Sequence, residues 1–184
     1  MSGKRIDNQY EIQGDLTILW ITDRKNRVFR CLLDTKNLKR IRPYSWHMRY
    51  AKNINGYYVI ATVHYKDDNG NKKQTTIEMH SFLMNNKRGK YFVDHKNNDG
   101  TDNREENLRV TSHSNNEKNR KGANKNNKSG YRNVAISHGK LLIQLQINGK
   151  NTVLKTFPLD QLEDAGKYAE EMRKKYYGDY AGKG

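Results

Sequence analysis

The sequence predicts an α+β protein made of small packed units, without one large core. Hydrophobic residues make up 34% of the 184 residues, and the mean hydropathy is −1.12, so little apolar surface is available for a single core. Short strand-like runs fill the first part of the chain. Three further strand-like runs precede one amphipathic helix near the carboxyl end, and a polar tract separates the two regions.

The charge balance predicts a polyanionic partner. Lys and Arg number 35 against 20 Asp and Glu, which gives a formal net charge of +15. Neutralising the phosphates of a nucleic acid releases condensed counterions, so such an excess favours nucleic acid binding. The first residues lack the apolar core of a signal peptide, and no run of about 18 apolar residues exists. We therefore expect no membrane association.

Cys31 is the only cysteine. A single cysteine excludes an internal disulfide framework and a structural zinc site built from several thiolates. The setting we expect is reduced and intracellular, namely the cytoplasm of a phage- or bacterium-like host. Because Cys31 lies in the apolar run RVFRCLL, we expect it to be a small core residue.

Residues 1–78 are predicted to form an N-terminal strand-rich region. LTILWIT, RVFRCLL, GYYVIATVHYK and QTTIEM are strand-like runs, and the Asn69-Gly70 pair between the last two is a strong hairpin signal. RIRPYSWHMRY mixes arginines with aromatic residues. It is either a nucleic-acid surface or a set of buried aromatics beside solvated arginines, and we favour the second interpretation.

Residues 79–120 are predicted to form a ββα unit. MHSFLM is typical of a short helix, and YFVDH and NLRV of two strands joined by a polar loop. Thr111 or Ser112 is a suitable cap for a following helix that carries Asn116 and Asn119 on one face. The hairpin would bring the end of the first strand close to this helix.

The chemistry of this unit lies at the end of its first strand. Asp94 and Asn116 offer carboxylate and amide oxygens, which are ligands that a hard divalent cation prefers. His95 points to the other side of the strand from Asp94 and is suited to take a proton from water. Together these groups would support metal-assisted hydrolysis of a phosphodiester. Each residue alone is more often structural, and only their joint spacing favours a catalytic site.

Residues 121–129, KGANKNNKS, are predicted to be a basic linker, because they hold no large apolar residue that a core would bury. Residues 130–184 then carry the strand-like runs YRNVAIS, KLLIQLQI and NTVLKTF. Asp160 is expected to open a helix, with Glu163 three residues later completing a capping box. Apolar residues at spacings of three and four give this helix one apolar stripe, which predicts a three-stranded sheet packed on one helix.

The stretch VDHKNNDGTDNREENLRVTSHSNN resembles the HNH homing endonucleases of phages and introns. Their pattern has an acid or Asn before a His at a strand end, then an Asn, then a final His or Asn on a helix. The resemblance implies a ββα-metal module with His95 as general base and Asp94 and Asn116 as ligands of one Mg²⁺ or Mn²⁺. It also implies Asn107 as the brace of the hairpin loop. MHSFLM is similar to the family's lead-in segment, with Ser81 where Arg is common, and we assign His80 a supporting role.

The C-terminal region resembles the Apetala-type DNA-binding domains that are often appended to such nucleases. SGYRNV, NGK and a helix ending in KKYYGDYA carry this resemblance. It implies a three-stranded sheet that lies in the major groove of double-stranded DNA. The chain departs from the family at Leu141-Leu142, where Trp followed by Arg is typical, so two expected contacts are missing or shifted. The candidate DNA contacts are Arg132, Lys140, Gln144, Gln146, Lys150 and Lys155.

These expectations combine into a site-specific DNA endonuclease that uses one divalent metal and a histidine base. One Asp94-His95-Asn116 set per chain, without a heptad pattern for dimerisation, predicts a monomer that nicks one strand and implies no protein partner. The alternatives are a DNA-binding regulator that has lost activity and a nonspecific nuclease. An RNA-binding protein is a weaker option, because nothing resembles an aromatic platform for single strands.

Overall fold

A computed structural model describes residues 7–52, 55–86 and 91–182 of the chain. The fold is mixed α+β, with several small antiparallel sheets and few helices. Contacts between residues divide the chain into two compact units, an N-terminal unit, Met1–His113, and a C-terminal unit, Ser114–Gly184.

Two three-stranded antiparallel sheets form most of the N-terminal unit. The first has the order β1 (Gln9–Gln13), β2 (Leu16–Thr22), β3 (Val28–Asp34), and is followed by the short helix α1 (Leu38–Ile41). The second has the order β4 (Trp46–Ala51), β5 (Gly56–Lys66), β6 (Lys72–Glu78). The predicted hairpin at Asn69-Gly70 joins β5 to β6, and Gly70 takes a positive φ of 78° there. That prediction is confirmed.

A short helix and a hairpin complete the N-terminal unit. Helix α2 (Met79–Leu83) follows β6, and strands β7 (Phe92–His95) and β8 (Leu108–Thr111) pair antiparallel. Side chains from both sheets, from α2 and from the hairpin share one apolar cluster, which includes Leu19, Cys31, Val59, Met79 and Val93. The predicted boundary between residues 78 and 79 is therefore not a domain boundary, because one core extends across it.

The loop between β7 and β8 is fixed by both sheets of the unit. From the first sheet, the Leu32 amide donates to Thr101 O over 2.9 Å, and Leu32 O accepts from the Asn103 amide over 2.8 Å. From the second sheet, the carbonyl oxygen of Tyr57 lies so close to Gly100 that a Cβ there would stand 2.1 Å from it. The middle of the loop that follows His95, from Gly100 to Asn103, thus packs against both sheets.

The C-terminal unit is one sheet covered by one helix. Helix α3 (His113–Lys118) begins at the boundary between the units, and the sheet has the order β11 (Lys150–Pro158), β10 (Lys140–Ile147), β9 (Val134–Ser137). Helix α4 (Leu162–Tyr177) packs against it through a cluster that includes Leu141, Ile143 and Leu145 from β10. A three-stranded sheet on one helix was expected, and the structure confirms it.

Two local expectations in this unit are wrong. The helix expected to open at Asp160 begins at Leu162, and its N-cap, Gln161, makes no capping hydrogen bond through its side chain, so the capping box is absent. Residues 121–129 were expected to form a linker, yet they belong to the C-terminal unit. The Asn127 side chain donates to Tyr131 O and Val134 O, and Ser129 is buried.

We predict that Gly100→Ala destabilises the N-terminal unit by about 3 kcal/mol, the upper end of the cost of overpacking. The reason is steric, because the added methyl group meets the Tyr57 backbone, which cannot swing away as a side chain would. Gly70→Ala is the control, since no atom lies within 4 Å of its Cβ position. Only the left-handed conformation costs free energy there, about 1–2 kcal/mol. Urea unfolding measures both, and equal losses would contradict the close approach at Gly100.

Candidate functional site

Pairing of the two hairpin strands places Asp94 and His95 on opposite faces. Asp94 lies opposite Arg109 and His95 opposite Leu108 in the antiparallel register. Successive side chains of a strand point to opposite faces, so His95 shares its face with Leu108, a residue of the apolar core. His95 is 4% exposed and Asp94 is 9% exposed. The candidate base therefore faces the interior of the N-terminal unit.

Burial controls the protonation of His95. Loss of solvation lowers the pKa of its imidazole to about 4, and the nearby His80 ring also disfavours a positive charge there. The two imidazole rings meet edge to face, with centroids 4.9 Å apart. His95 Nε2 lies 3.3 Å from Asn103 Oδ1. At neutral pH the ring is uncharged, which is the form that a proton acceptor needs.

Asn107 joins the two ends of the loop that follows His95. Its Nδ2 donates to Asp102 O over 2.8 Å and to Asn97 Oδ1 over 3.0 Å, and its Oδ1 accepts from the Asn97 amide over 3.1 Å. The backbone carbonyl of Asn107 accepts from the Lys96 amide, directly after His95. These four hydrogen bonds fix the chain on both sides of the loop, which is how a bracing residue acts.

His80 lies beneath His95, on helix α2. Its Nε2 is 3.3 Å from Glu78 Oε2, and Glu78 also pairs with Arg49 at 2.5 Å. The His80 imidazole and the Arg49 guanidinium both favour the carboxylate, and they lower the pKa of Glu78 to about 2. Among the described residues, His80 Nδ1 has no hydrogen-bond partner although it is buried. Glu78 thus orients His80, whose ring packs against the ring of His95.

Asp94 is held by Arg109. The guanidinium donates to Asp94 Oδ2 through Nη2 over 2.8 Å and through Nε over 3.1 Å. Both side chains are nearly covered, with 10% of the Asp94 side chain and 11% of the Arg109 side chain exposed. An ion pair with so little exposure is only weakly screened by solvent. Any cation that binds Asp94 must therefore share its carboxylate with Arg109.

Few side chains close to His95 could bind a divalent metal. In the described parts of the chain, no group of three or more His, Cys, Asp or Glu side chains is placed to hold a metal ion. Mg²⁺ takes one or two carboxylates and completes its shell with waters and substrate phosphates. The carboxylate of Asp94 is of the kind that this mode of binding uses. Asn116 lies in α3, within the C-terminal unit, so its pairing with Asp94 stays a prediction.

The C-terminal sheet presents some of the predicted polar side chains on its open face. Ile143 and Leu145 of β10 are buried toward α4, so the alternating Gln144 and Gln146 lie on the face away from that helix. A concavity of about 350 Å³ on this side is lined by polar residues that include Arg120, Asn124, Gln144, Gln146 and Asn151. Lys140 and Lys150 are exposed at opposite ends of β10 and β11.

Two predicted DNA contacts also have contacts within the C-terminal unit. Arg132 is 6% exposed, and its guanidinium donates to Lys118 O, Arg120 O and Ala181 O. Burial lowers its pKa to about 10. Lys155 pairs with the buried Ile143 because a β-bulge shifts the register after that residue, and its Nζ lies over the rings of Phe157 and Tyr168. Arg132 nevertheless lines the same concavity as Gln144 and Gln146, and Lys155 is exposed. Their assignment to DNA therefore stays a prediction.

Three residues that the structure brings to the site carry no distinguishing signal in the sequence. Asn103 lies among five other asparagine and aspartate residues of the loop, and nothing in the sequence separates it from them. Arg109 becomes the partner of Asp94 only through the hairpin register. Glu78 reaches His80 across the junction of β6 and α2, which a motif search for the two strands does not cover.

Comparison of the chain with protein-family models, with curated proteins and with solved structures finds no match. The two resemblances therefore rest on the residues of this chain alone. In the described segments, no helix combines the length and the apolar character that crossing a membrane requires.

The pKa of His95 predicts a pH-dependent stability. The folded-state pKa of about 4 lies below the ordinary value of 6.5, so the unfolded state binds the proton more tightly between these values. The contribution of His95 is complete above pH 6.5 and is lost as the pH falls toward 4, by up to about 3 kcal/mol. Urea unfolding at several pH values measures it.

The His95→Gln variant should lack this pH dependence between pH 4.5 and 6.5. His64→Gln, at an exposed position of β5, should keep it and serves as the control. The carboxyl of Glu78, whose pKa is about 2, changes charge below this window. A wild-type stability that is constant from pH 7 to pH 4.5 would contradict a buried neutral His95.

We also predict that replacing one cation of the C-terminal unit lowers stability strongly, while replacing another hardly changes it. Arg132→Gln should lower the free energy of unfolding by about 3 kcal/mol, because it removes a buried guanidinium that donates to three backbone carbonyls. Lys140→Gln should change it by less than about 0.5 kcal/mol, since Lys140 is exposed. Thermal unfolding of the two variants tests the structural role of Arg132, and equal stability of both would refute it.

Proposed function

We propose that the chain is a site-specific DNA endonuclease of the HNH homing type, with a ββα-metal module in residues 79–120. The observation that carries the proposal is His95, a buried and uncharged imidazole beside Asp94 at a strand end. Structural histidines in cores are common, but this one is backed by a loop braced at Asn107 and by the Glu78–His80 pair. Such support is what a positioned general base requires.

In this proposal, His95 takes a proton from a water molecule, whose oxygen attacks the phosphorus of a DNA phosphodiester. The uncharged ring is ready for this step at neutral pH. Asn107 keeps the loop after His95 in place, and His80 supports the ring without contacting the substrate. Asp94 keeps its carboxylate oriented through Arg109, which also places a positive charge close to the phosphate.

Asp94 and Asn116 are the residues that would hold Mg²⁺ or Mn²⁺. Such an ion, when bound, supplies a Lewis acid that stabilises negative charge on the phosphate and on the leaving oxygen. Only two protein ligands are needed, because waters and phosphate oxygens complete the coordination of Mg²⁺.

The C-terminal unit would select the target sequence. Gln144 and Gln146 share the open face of the sheet, and the amide of Gln matches the major-groove edge of adenine. Lys140 and Lys150 at the ends of the strands would contact phosphates, which fixes register and adds salt-dependent affinity. Arg132 and Lys155 stay further candidates for DNA contacts, and each also has contacts within the unit.

A DNA-binding regulator without activity is the second candidate. The observation that favours it is the ion pair between Asp94 and Arg109, because a guanidinium on the carboxylate competes with a metal. The two candidates differ in whether the chain cleaves DNA with Mg²⁺. A library of random-sequence duplexes, with both cut strands sequenced, identifies a target and separates the candidates.

We predict that His95→Ala lowers the cleavage rate by about 10²–10⁴-fold, the usual loss for a general base. DNA affinity should change little, because the buried ring has no groove contact to lose. His64→Ala, at an exposed position of the second sheet, should cleave normally. Chelation of the metal with EDTA should abolish DNA cleavage by the wild-type protein. Full activity of the His95 variant would remove His95 from the mechanism, and cleavage in EDTA would remove the metal.

We predict that the protein nicks one strand of its target. Each chain has one Asp94-His95-Asn116 set, and the two scissile phosphates of a duplex face in opposite directions. A double-strand break would need a second copy of the site, for which a two-fold dimer is the usual solution. A supercoiled plasmid that carries the target should become open circle, with linear product only late. Immediate linear product at low protein concentration would contradict nicking by a monomer.

A further inference from the structure

Asn103 is the buried amide that contacts His95. Its side chain is 0% exposed, and each polar atom of the carboxamide has a neighbour. Nδ2 lies 3.3 Å from Gly100 O and 3.5 Å from Cys31 Sγ, while Oδ1 lies 3.3 Å from His95 Nε2.

The chemistry of these neighbours fixes the orientation of the amide. A backbone carbonyl only accepts hydrogen bonds, so the Asn103 NH₂ group must face Gly100 O, and the carbonyl oxygen must face His95. A carboxamide oxygen also only accepts. In the uncharged imidazole, the ring nitrogen that faces Asn103 must therefore carry the hydrogen. His95 is then the Nε2–H tautomer, and its lone pair is on Nδ1.

The backbone around Asn103 is also held in place. Its backbone amide donates to Leu32 O over 2.8 Å, and a parallel bridge joins Leu32 to the preceding Asp102. At the other end of the short segment, Gly100 lies against the Tyr57 backbone, where even a methyl group has no room. The backbone that carries the Asn103 acceptor is thus held by both sheets of the N-terminal unit. These sheets therefore contribute to the positioning of His95.

We propose that Asn103 is a positioning residue that fixes the tautomer of His95, so that Nδ1 is the atom that accepts the proton. The catalytic consequence rests on the proposed nuclease function. An O–H bond of water breaks as the Nδ1–H bond forms, and the water oxygen bonds to phosphorus. The bond from phosphorus to the leaving oxygen breaks with its electron pair, and solvent protonates that oxygen.

Asn103 has a second effect in the same step. When His95 gains the proton, both ring nitrogens carry hydrogen and the ring becomes positive. The Nε2–H donor is already directed at an amide oxygen, whose partial negative charge stabilises the imidazolium without reorganisation. His95 then returns its proton to solvent, and the neutral tautomer is restored with Nε2–H still facing Asn103.

The tautomer is measured directly by NMR, on the full chain labelled with ¹⁵N at histidine, at pH 7. Long-range ¹H–¹⁵N correlations distinguish a ring nitrogen with hydrogen from one without. We expect wild-type His95 to show Nε2 protonated and Nδ1 unprotonated. A ring with hydrogen on Nδ1, or one that averages both forms, would overturn the proposal without any variant.

Three variants separate positioning from folding. Asn103→Leu keeps the volume and removes the acceptor, so the His95 signals should shift toward a mixture of tautomers, and kcat should fall about 10²-fold with little change in KM. Asn103→Asp keeps the acceptor and should keep the tautomer. Asn37→Leu removes another buried amide, 3% exposed and bonded to Glu105, and should leave the His95 spectrum unchanged. An unchanged tautomer in Asn103→Leu would refute the proposal.

DNA cleavage tests the nuclease function, and the NMR spectrum of His95 tests the role of Asn103, so each can be refuted without the other. A chain that shows the expected tautomer and cleaves no DNA would refute the nuclease function while Asn103 still sets the ring. A chain that cleaves DNA with the opposite tautomer would keep the function and refute the role of Asn103.

Discussion

The tie between the backbone of Leu32 and the loop of the β7–β8 hairpin is the interaction on which the candidate site depends. A hairpin of two short strands is marginally stable by itself in water, and these strands have four residues each. Strand β3 extends its pairing to the loop, where Leu32 bonds to Thr101 and Asn103. Because only backbone atoms take part, the tie does not require particular side chains at these positions. The N-terminal sheets are therefore part of the construction of the site.

Local patterns predicted much of the fold, because the information for a turn or a strand lies in a few neighbouring residues. Asn69-Gly70 forms the expected hairpin, since both residue types suit the tight turn between β5 and β6. Strand β4 was not predicted. Its residues, WHMRYA, alternate poorly, with only Trp46 buried and Arg49 and Tyr50 both exposed. Pairing with β5, which is a tertiary contact, makes this segment a strand.

Whether a polar side chain is enclosed or exposed depends on long-range packing, and the sequence did not predict it. Arg132 and Lys140 look alike in sequence, yet one is enclosed by three backbone carbonyls and the other is exposed. Which cation is enclosed depends on where residues 118–120 and the chain end pass over the sheet. The motif around His95 is recognisable in sequence because its spacing is local. Asn103, which contacts His95, resembles the other loop asparagines in sequence. Its backbone hydrogen bond to Leu32 of β3 places it at the site.

Because Cys31 is enclosed in the core, alkylation of its thiol reports how often the N-terminal unit opens. The thiol is 0% exposed, and burial raises its pKa to about 12, so the thiolate that reacts with alkylating reagents is absent from the closed state. Modification therefore proceeds only through molecules whose core has opened, and its rate measures how often that happens. Since Asn103 Nδ2 contacts Cys31 Sγ, the same opening separates the amide from its surroundings. A ligand that binds the closed unit should protect this thiol in proportion to its occupancy.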